Sequence, residues 1–278
     1  MTTGVFLAVL GAAFLHALWN ALIKTGESRV GAMVILSVWE IVIGLALCLL
    51  HGLPDAAVLP WLAGSACFHL LYKTGLTFAY AHGDLSRVYP LARGTAPMAV
   101  LLIGAVFLGE AVHPREAAGI VVLGAGILVL ASGVFRSGES RALVPFALGA
   151  ACGTAGYTMV DGFGARAAGD AAAYVTWLFV LDGLSYLVLM AVLKGREAWP
   201  GPGRAWAVGA VGGAASWGAY AIAVWAMTVA PIPLVAALRE TSILFAVMIG
   251  RIAFGERMGT GKALSVAMIV AGVALTRL

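Results

Sequence analysis

Apolar stretches of about 20 residues follow one another along nearly the whole chain, separated only by short polar connections. A stretch of that length spans the hydrocarbon core as a helix, because only a helix satisfies its own backbone hydrogen bonds in lipid. An outer-membrane barrel would show short alternating segments instead. Of 278 residues, 62% are hydrophobic and 11% charged, whereas soluble domains carry roughly 25% charge. A water-soluble fold is therefore excluded.

Hydropathy and helix breakers together predict spans at about 4–23, 31–50, 58–80, 86–108, 116–134, 142–163, 172–193, 204–228, 233–254 and 260–276. Met1-Thr2-Thr3-Gly4 offers no basic segment and no cleavage site follows, so the first stretch reads as a span and not a signal peptide. Cys48, Cys67 and Cys152 fall within spans and form no CxxC pair, which predicts neither a disulfide framework nor a metal site. The net charge of +4 lies mostly in loops, where it reads as a topology signal and not as a nucleic-acid footprint.

The polar segment 136–141 lies near the midpoint and divides the spans five and five. Sliding the chain by 146 residues aligns Arg93, Thr95, Ile103, Gly104, Gly109, Glu110, Ala117, Ala125 and Gly126 with Arg239, Thr241, Ile249, Gly250, Gly255, Glu256, Ala263, Ala271 and Gly272. A one-residue slip brings Tyr72 onto Trp217 and Tyr80 onto Trp225, and Gly11-Ala12-Ala13 matches Gly149-Ala150-Ala151. The expected units are residues 1–136 and 141–278. Five crossings each turn the second unit upside down relative to the first, the inverted repeat of secondary transporters, which bind near the midplane between halves.

Two halves whose fourth spans end in Phe107-Leu108-Gly109-Glu110 and Ala253-Phe254-Gly255-Glu256, with fifth spans carrying Ala-Gly, resemble the EamA family of the drug/metabolite transporter superfamily. The first span, Gly11-Ala12-Ala13-Phe14-Leu15-His16-Ala17-Leu18-Trp19-Asn20, is similar to that family's first helix. The resemblance covers the whole chain. It implies an all-α integral membrane protein of ten transmembrane helices in two inverted five-helix repeats, sited in a bacterial inner membrane. It also implies export of amino acids or passage of other small metabolites.

Ionisable side chains within spans are costly and are functional candidates by default. Arg93 and Arg239 are repeat mates, and a guanidinium can hold a carboxylate through two parallel hydrogen bonds. Glu40 and Asp182, mid-span, and Glu240, beside Arg239, are candidates for carrying a coupling proton, but the first two read in preference as structural groups that pair with an Arg or Lys73 or stay protonated and bond a neighbouring helix. On a helix, Glu240 would point about 100° away from Arg239.

His69, Tyr72, Lys73, Leu76 and Tyr80 share one face of the third span, Trp217 and Tyr220 one face of the eighth, and His16, Trp19 and Asn20 end the first. Aromatic walls of this kind suit amphipathic solutes. His16, Trp19, Asn20, Tyr72, Tyr80, Trp217 and Tyr220 are thus the expected pocket lining, with Arg93 and Arg239 as anion ligands. Trp61, Trp199 and Trp206, near span ends, read as interfacial anchors. Pro90, Pro97, Pro231 and Pro233 are candidate hinges or ordinary helix starts.

The expected function is secondary transport of a small amphipathic metabolite, foremost amino-acid export by alternating access, with protons as candidate coupling ion. The alternative cargo is an organic anion or phosphonate-like solute. No cofactor or metal is expected, and no GxSxG, HExxH or Walker motif points to an enzyme. A passive channel is a further alternative, to be told apart by flux without saturation. Loops after odd-numbered spans hold Lys24, Arg29, Arg87, Arg136, Arg141, Lys194, Arg196, Arg204, Arg251, Arg257 and Lys262, against Arg115, Arg166 and Arg277 elsewhere. The positive-inside rule then puts both termini outside, whereas the family resemblance implies termini inside.

Overall fold

The structure, a computed structural model, describes residues 1–24, 28–82, 96–107, 109, 112–131, 142–199, 203–254 and 258–277. Its helices are α1 (Thr3–Lys24), α2 (Arg29–His51), α3 (Leu59–His82), α4 (Ala96–Phe107), α5 (Pro114–Ala131), α6 (Leu143–Ala168), α7 (Ala171–Lys194), α8 (Arg204–Val229), α9 (Ile232–Arg239), α10 (Ser242–Phe254) and α11 (Thr260–Leu275). Short 3-10 turns at Ala56–Val58 and Gly195–Ala198 complete the secondary structure, and no strand occurs among the described residues.

Local chemistry sets several of the boundaries. Ser28 caps α2 by accepting from the Gly31 amide, and Asp170 caps α7 by accepting from Ala172 and Ala173 at 2.8 and 3.1 Å. Gly169, at φ 71°, ends α6 in the left-handed conformation that glycine adopts without penalty. The first helical bonds of α5 and α11, from Ala117 N to His113 O and from Ala263 N to Gly259 O, lie 146 residues apart (263 − 117, 259 − 113).

Among the described residues six segments are long and apolar enough to cross a membrane: Thr3–Leu22, Val30–His51, Leu143–Ala168, Ala171–Ala198, Arg204–Val229 and Ile232–Ala253. The fold encloses a set of charged side chains within a mostly apolar core and also turns large apolar side chains outward. Glu40, Lys73, Asp161, Asp182, Arg239 and Glu240 are buried, whereas Leu49 is 88% and Ile252 78% exposed, with Leu45, Leu50, Val188 and Val192 also facing outward. Large apolar side chains facing outward along helices of membrane-spanning length suit a hydrocarbon surrounding. The protein is an all-helical integral membrane protein.

Two expectations from the sequence change. The ninth span is not one helix: it breaks at Glu240 and Thr241, whose amides bond three residues back to Ala237 O and Leu238 O while the Thr241 hydroxyl donates to Leu238 O at 2.7 Å. A hydroxyl that satisfies the preceding turn's carbonyl competes with continued helix. Glu240 therefore sits at a break, and the 100° argument no longer applies to it. The sixth span runs five residues further than predicted, to Ala168. Arg166 is thus no loop residue; it caps α8, donating from Nε to Met227 O at 2.9 Å and from Nη2 to Ala230 O at 3.2 Å.

The principal neighbours are α3 with α6, α1 with α8, α2 with α7, and α5 with α11. Small residues permit the approach. A Cβ at Gly75 would meet the backbone of Phe146 and Ala150 at 2.7 and 2.8 Å, and one at Gly153 would meet Tyr72 N and Phe68 O at 2.7 and 2.8 Å. A Cβ at Gly64, on the same α3, would meet only Val160 Cγ1 at 3.7 Å. Gly75→Ala is expected to destabilise by about 1–3 kcal/mol through overpacking against unyielding backbone. Gly64→Ala is expected to be neutral or to stabilise by up to about 1 kcal/mol through helix propensity. Thermal unfolding of both variants in detergent tests the difference.

Candidate functional site: a buried polar ladder

Helix α3 carries Ser65, His69, Lys73 and Thr77 at four-residue spacing, all buried. Residues four apart share a helix face, so these side chains make a polar stripe of roughly 18 Å through the interior. Thr77 Oγ1 lies 3.0 Å from the Tyr186 hydroxyl of α7.

The Lys73 rung is ionic. Its Nζ lies 2.8 Å from Glu40 Oε2 of α2 and 2.7 Å from Asp182 Oδ2 of α7, and donates to Ser37 Oγ at 3.1 Å. Ser216 of α8 donates to Glu40 Oε1 at 2.9 Å. Close approach of α2 and α7 brings the two acids to the same ammonium: a Cβ at Gly183 would meet Ser37 O at 2.9 Å, and one at Gly44 would meet Thr176 O at 3.0 Å. Glu40 and Asp182 thus pair with Lys73, one of the arrangements open from the sequence.

The His69 rung is aromatic and acidic. Asp161 of α6 accepts from the Tyr174 hydroxyl at 2.9 Å on Oδ1 and from the Tyr220 hydroxyl on Oδ2. His69 Nδ1 stands 4.0 Å from Asp161 Oδ2 and 3.1 Å from Ser65 O. The same Nδ1 lies 3.2 Å from Ser65 Oγ. Tyr157 stacks on the imidazole with ring centroids 4.1 Å apart, and Tyr72 meets Tyr157 edge-on at 5.6 Å. The Arg239 guanidinium lies over the Tyr220 ring at 5.0 Å and near that of Tyr157 at 6.0 Å. Arg239 is buried at the last residue of α9, directly before the break.

The structure sorts the residues singled out in the sequence into two groups. Tyr72, Tyr220 and Arg239 gather around His69, with Trp217 packed against the same core. His16, Trp19 and Asn20 stand apart: Trp19 Nε1 donates to His16 Nδ1 at 3.2 Å, Asn20 Nδ2 to His16 O at 2.8 Å, and Trp19 packs in a cluster with Met33, Tyr186 and Met190. Arg93, Pro90 and the side chain of Tyr80 lie outside the described residues. Pro231 caps α9 and Pro233 stands in its first turn, so both mark a helix start, while the irregularity within this span is at Glu240 and Thr241. Pro97 lies on α4.

Asp161, Tyr157, Tyr174 and Ser65 do not stand out in the sequence. Ending the sixth span at 163 puts Asp161 at its edge, where a carboxylate is unremarkable. The available signal is the four-residue spacing of Ser65, His69, Lys73 and Thr77. An open pocket of 680 Å³ lies elsewhere, at the α6–α7 turn, where Arg166, Asp170, Ala221, Trp225 and Thr228 contribute to its wall.

No family model and no curated protein matches the chain. Among solved structures 29 chains match. One, described only as "Crystal structure of protein", aligns over 100% of this chain and 99% of its own with a TM-score of 0.79 at 20% identity. At that identity the likeness carries the fold alone. Fold and interior together define the class: a helical membrane protein whose charged groups meet in its core.

Proposed function

We propose that the protein is a secondary transporter of the EamA type in a bacterial inner membrane, exporting amino acids by alternating access between two inverted five-helix repeats, residues 1–136 and 141–278. The observation that carries this reading is the broken ninth span with a buried guanidinium at its break. Discontinuous helices whose ends meet polar groups near the midplane are the recurrent substrate sites of such transporters, and a charge kept there is hard to explain by stability alone.

The packing supports the repeat. Exchanging α1 with α6, α2 with α7, α3 with α8 and α5 with α11 turns the α3–α6 contact into the α8–α1 contact and leaves α2–α7 and α5–α11 unchanged; all four are the principal pairs. Gly119 and Gly272 each approach the other's carbonyl, and shifting both by 146 gives Ser265 and Gly126, which also touch. Arg239 would hold the substrate carboxylate, with Tyr72, Trp217 and Tyr220 forming the apolar wall. The Glu40–Lys73–Asp182 cluster would join the two halves and supply the axis about which they rock.

The test is uptake of labelled aromatic and aliphatic amino acids into proteoliposomes, with and without an imposed pH gradient. Saturable flux above that of empty liposomes, accelerated by the gradient, is the expected result. No flux by folded protein refutes amino-acid cargo, and flux without saturation refutes a carrier. Transport of organic anions in place of amino acids would keep the carrier and change its cargo.

A further inference from the structure

We propose that Asp161 is a proton-binding site, and that Tyr220 links its charge to Arg239. Three observations lead there. First, Asp161 is wholly buried, and among the described residues its carboxyl takes hydrogen bonds from three hydroxyls, those of Tyr174, Tyr220 and Ser65, while the one basic nitrogen within 4.0 Å, His69 Nδ1, stands at that distance. Glu40 and Asp182 differ, each having an ammonium within 2.8 Å. A carboxylate without a counter-charge in a low-dielectric interior takes up a proton.

Second, neighbouring helices pack closely on α6 beside the acid. A Cβ at Gly164 would meet Tyr174 at 2.7 Å, and one at Gly162 would meet Ile232 Cδ1 at 2.5 Å, so neighbours close over α6 on both sides of the acid. No group of acidic, histidine and cysteine side chains suited to a metal ion occurs among the described residues.

Third, the titratable neighbours form a route. His69 faces Asp161 from α3, Tyr174 from α7 and Tyr220 from α8, while Tyr157, one turn earlier on α6, stacks on His69. Arg239 of α9 reaches the site across the Tyr220 ring. The other elements packed on α6, α4 and the Ala56–Val58 turn, contain no titratable side chain. When Asp161 is ionised, the Tyr220 hydroxyl donates to it. When the proton arrives, the neutral carboxyl still accepts from Tyr220 on its carbonyl oxygen but more weakly, and the hold on the ring under the Arg239 guanidinium loosens at the α9–α10 break. Proton and substrate anion would thereby compete for one conformational state. The use made of the proton rests on the transporter reading; the site itself does not.

The experiment is infrared difference spectroscopy of the purified full-length protein between low and high pH, following the carbonyl stretch of protonated carboxylic acid. The expected result is a titrating band that is present in the wild type, lost in Asp161→Asn, and retained in Glu40→Gln and Asp182→Asn. A band frequency raised in Tyr220→Phe, because one hydrogen bond to the carboxyl is gone, is the second expectation and does not require Asp161→Asn to fold. A wild type without such a band, every band surviving in folded Asp161→Asn, or an unmoved frequency in Tyr220→Phe would each overturn the proposal. Absence of transport would leave these spectra unchanged, so failure of the site and failure of the transporter reading are distinguishable.

Discussion

Lys73→Met is expected to destabilise the protein by about 3–5 kcal/mol, a larger loss than that expected from Gly75→Ala. The ammonium holds Glu40 and Asp182 at 2.8 and 2.7 Å in a site where each of the three side chains is buried. Removing it leaves two facing carboxylates without a counter-charge, and methionine supplies similar volume but no donor. The cluster as a whole need not stabilise, because desolvation of three ions offsets most of their attraction. Lys73→Met combined with Glu40→Leu and Asp182→Leu is therefore expected to recover most of the loss. The single variant should unfold roughly 10 °C below the wild type in detergent, given a shift of about 2–4 °C per kcal/mol. A single variant as stable as the wild type would show that the ammonium contributes nothing, and failure of the triple variant to recover would show that the interhelical packing itself depends on the ions.

Arg239→Ala is expected to raise KM for a transported carboxylate about tenfold to a hundredfold, corresponding to the roughly 1.5–3 kcal/mol of a charge-assisted hydrogen bond. Arg239→Lys should recover only part of this, since an ammonium offers neither the planar fork for two parallel bonds nor the same stacking over Tyr220. Decarboxylated analogues should be insensitive to either change. An unchanged KM in folded Arg239→Ala would remove the guanidinium from substrate binding and leave it as a cation held over two tyrosine rings at the break between α9 and α10. The measurement is concentration-dependent flux in proteoliposomes, normalised to inserted protein.

Much of the interior was legible residue by residue. Lys73, Glu40, Asp182 and Arg239 stand out because each is an ion within an apolar run, and all four are buried. The His69, Tyr72 and Lys73 stripe follows from helical spacing and faces inward as a unit. What misled was span length: a window that ends too early, at residue 163, places Asp161 at the margin of the lipid and Arg166 beyond it, although both belong to one helix running to Ala168. The break at Glu240 and Thr241 carries no proline or glycine, and Pro231 and Pro233 drew attention to a helix start instead.

The sequence by itself determined that this is a helical membrane protein, about where most of its spans lie, and which few side chains carry charge within them. Those properties are sums of single-residue transfer free energies and of a fixed helical period, and both can be read without knowing any neighbour. Only the tertiary structure decided which charge meets which. The Ser216–Glu40 contact joins residues 176 apart, and His69 faces an aspartate that lies three helices further along the chain. Such meetings depend on how each helix is rotated and how closely glycines let pairs of helices approach, and those variables are set jointly by every interface in the bundle.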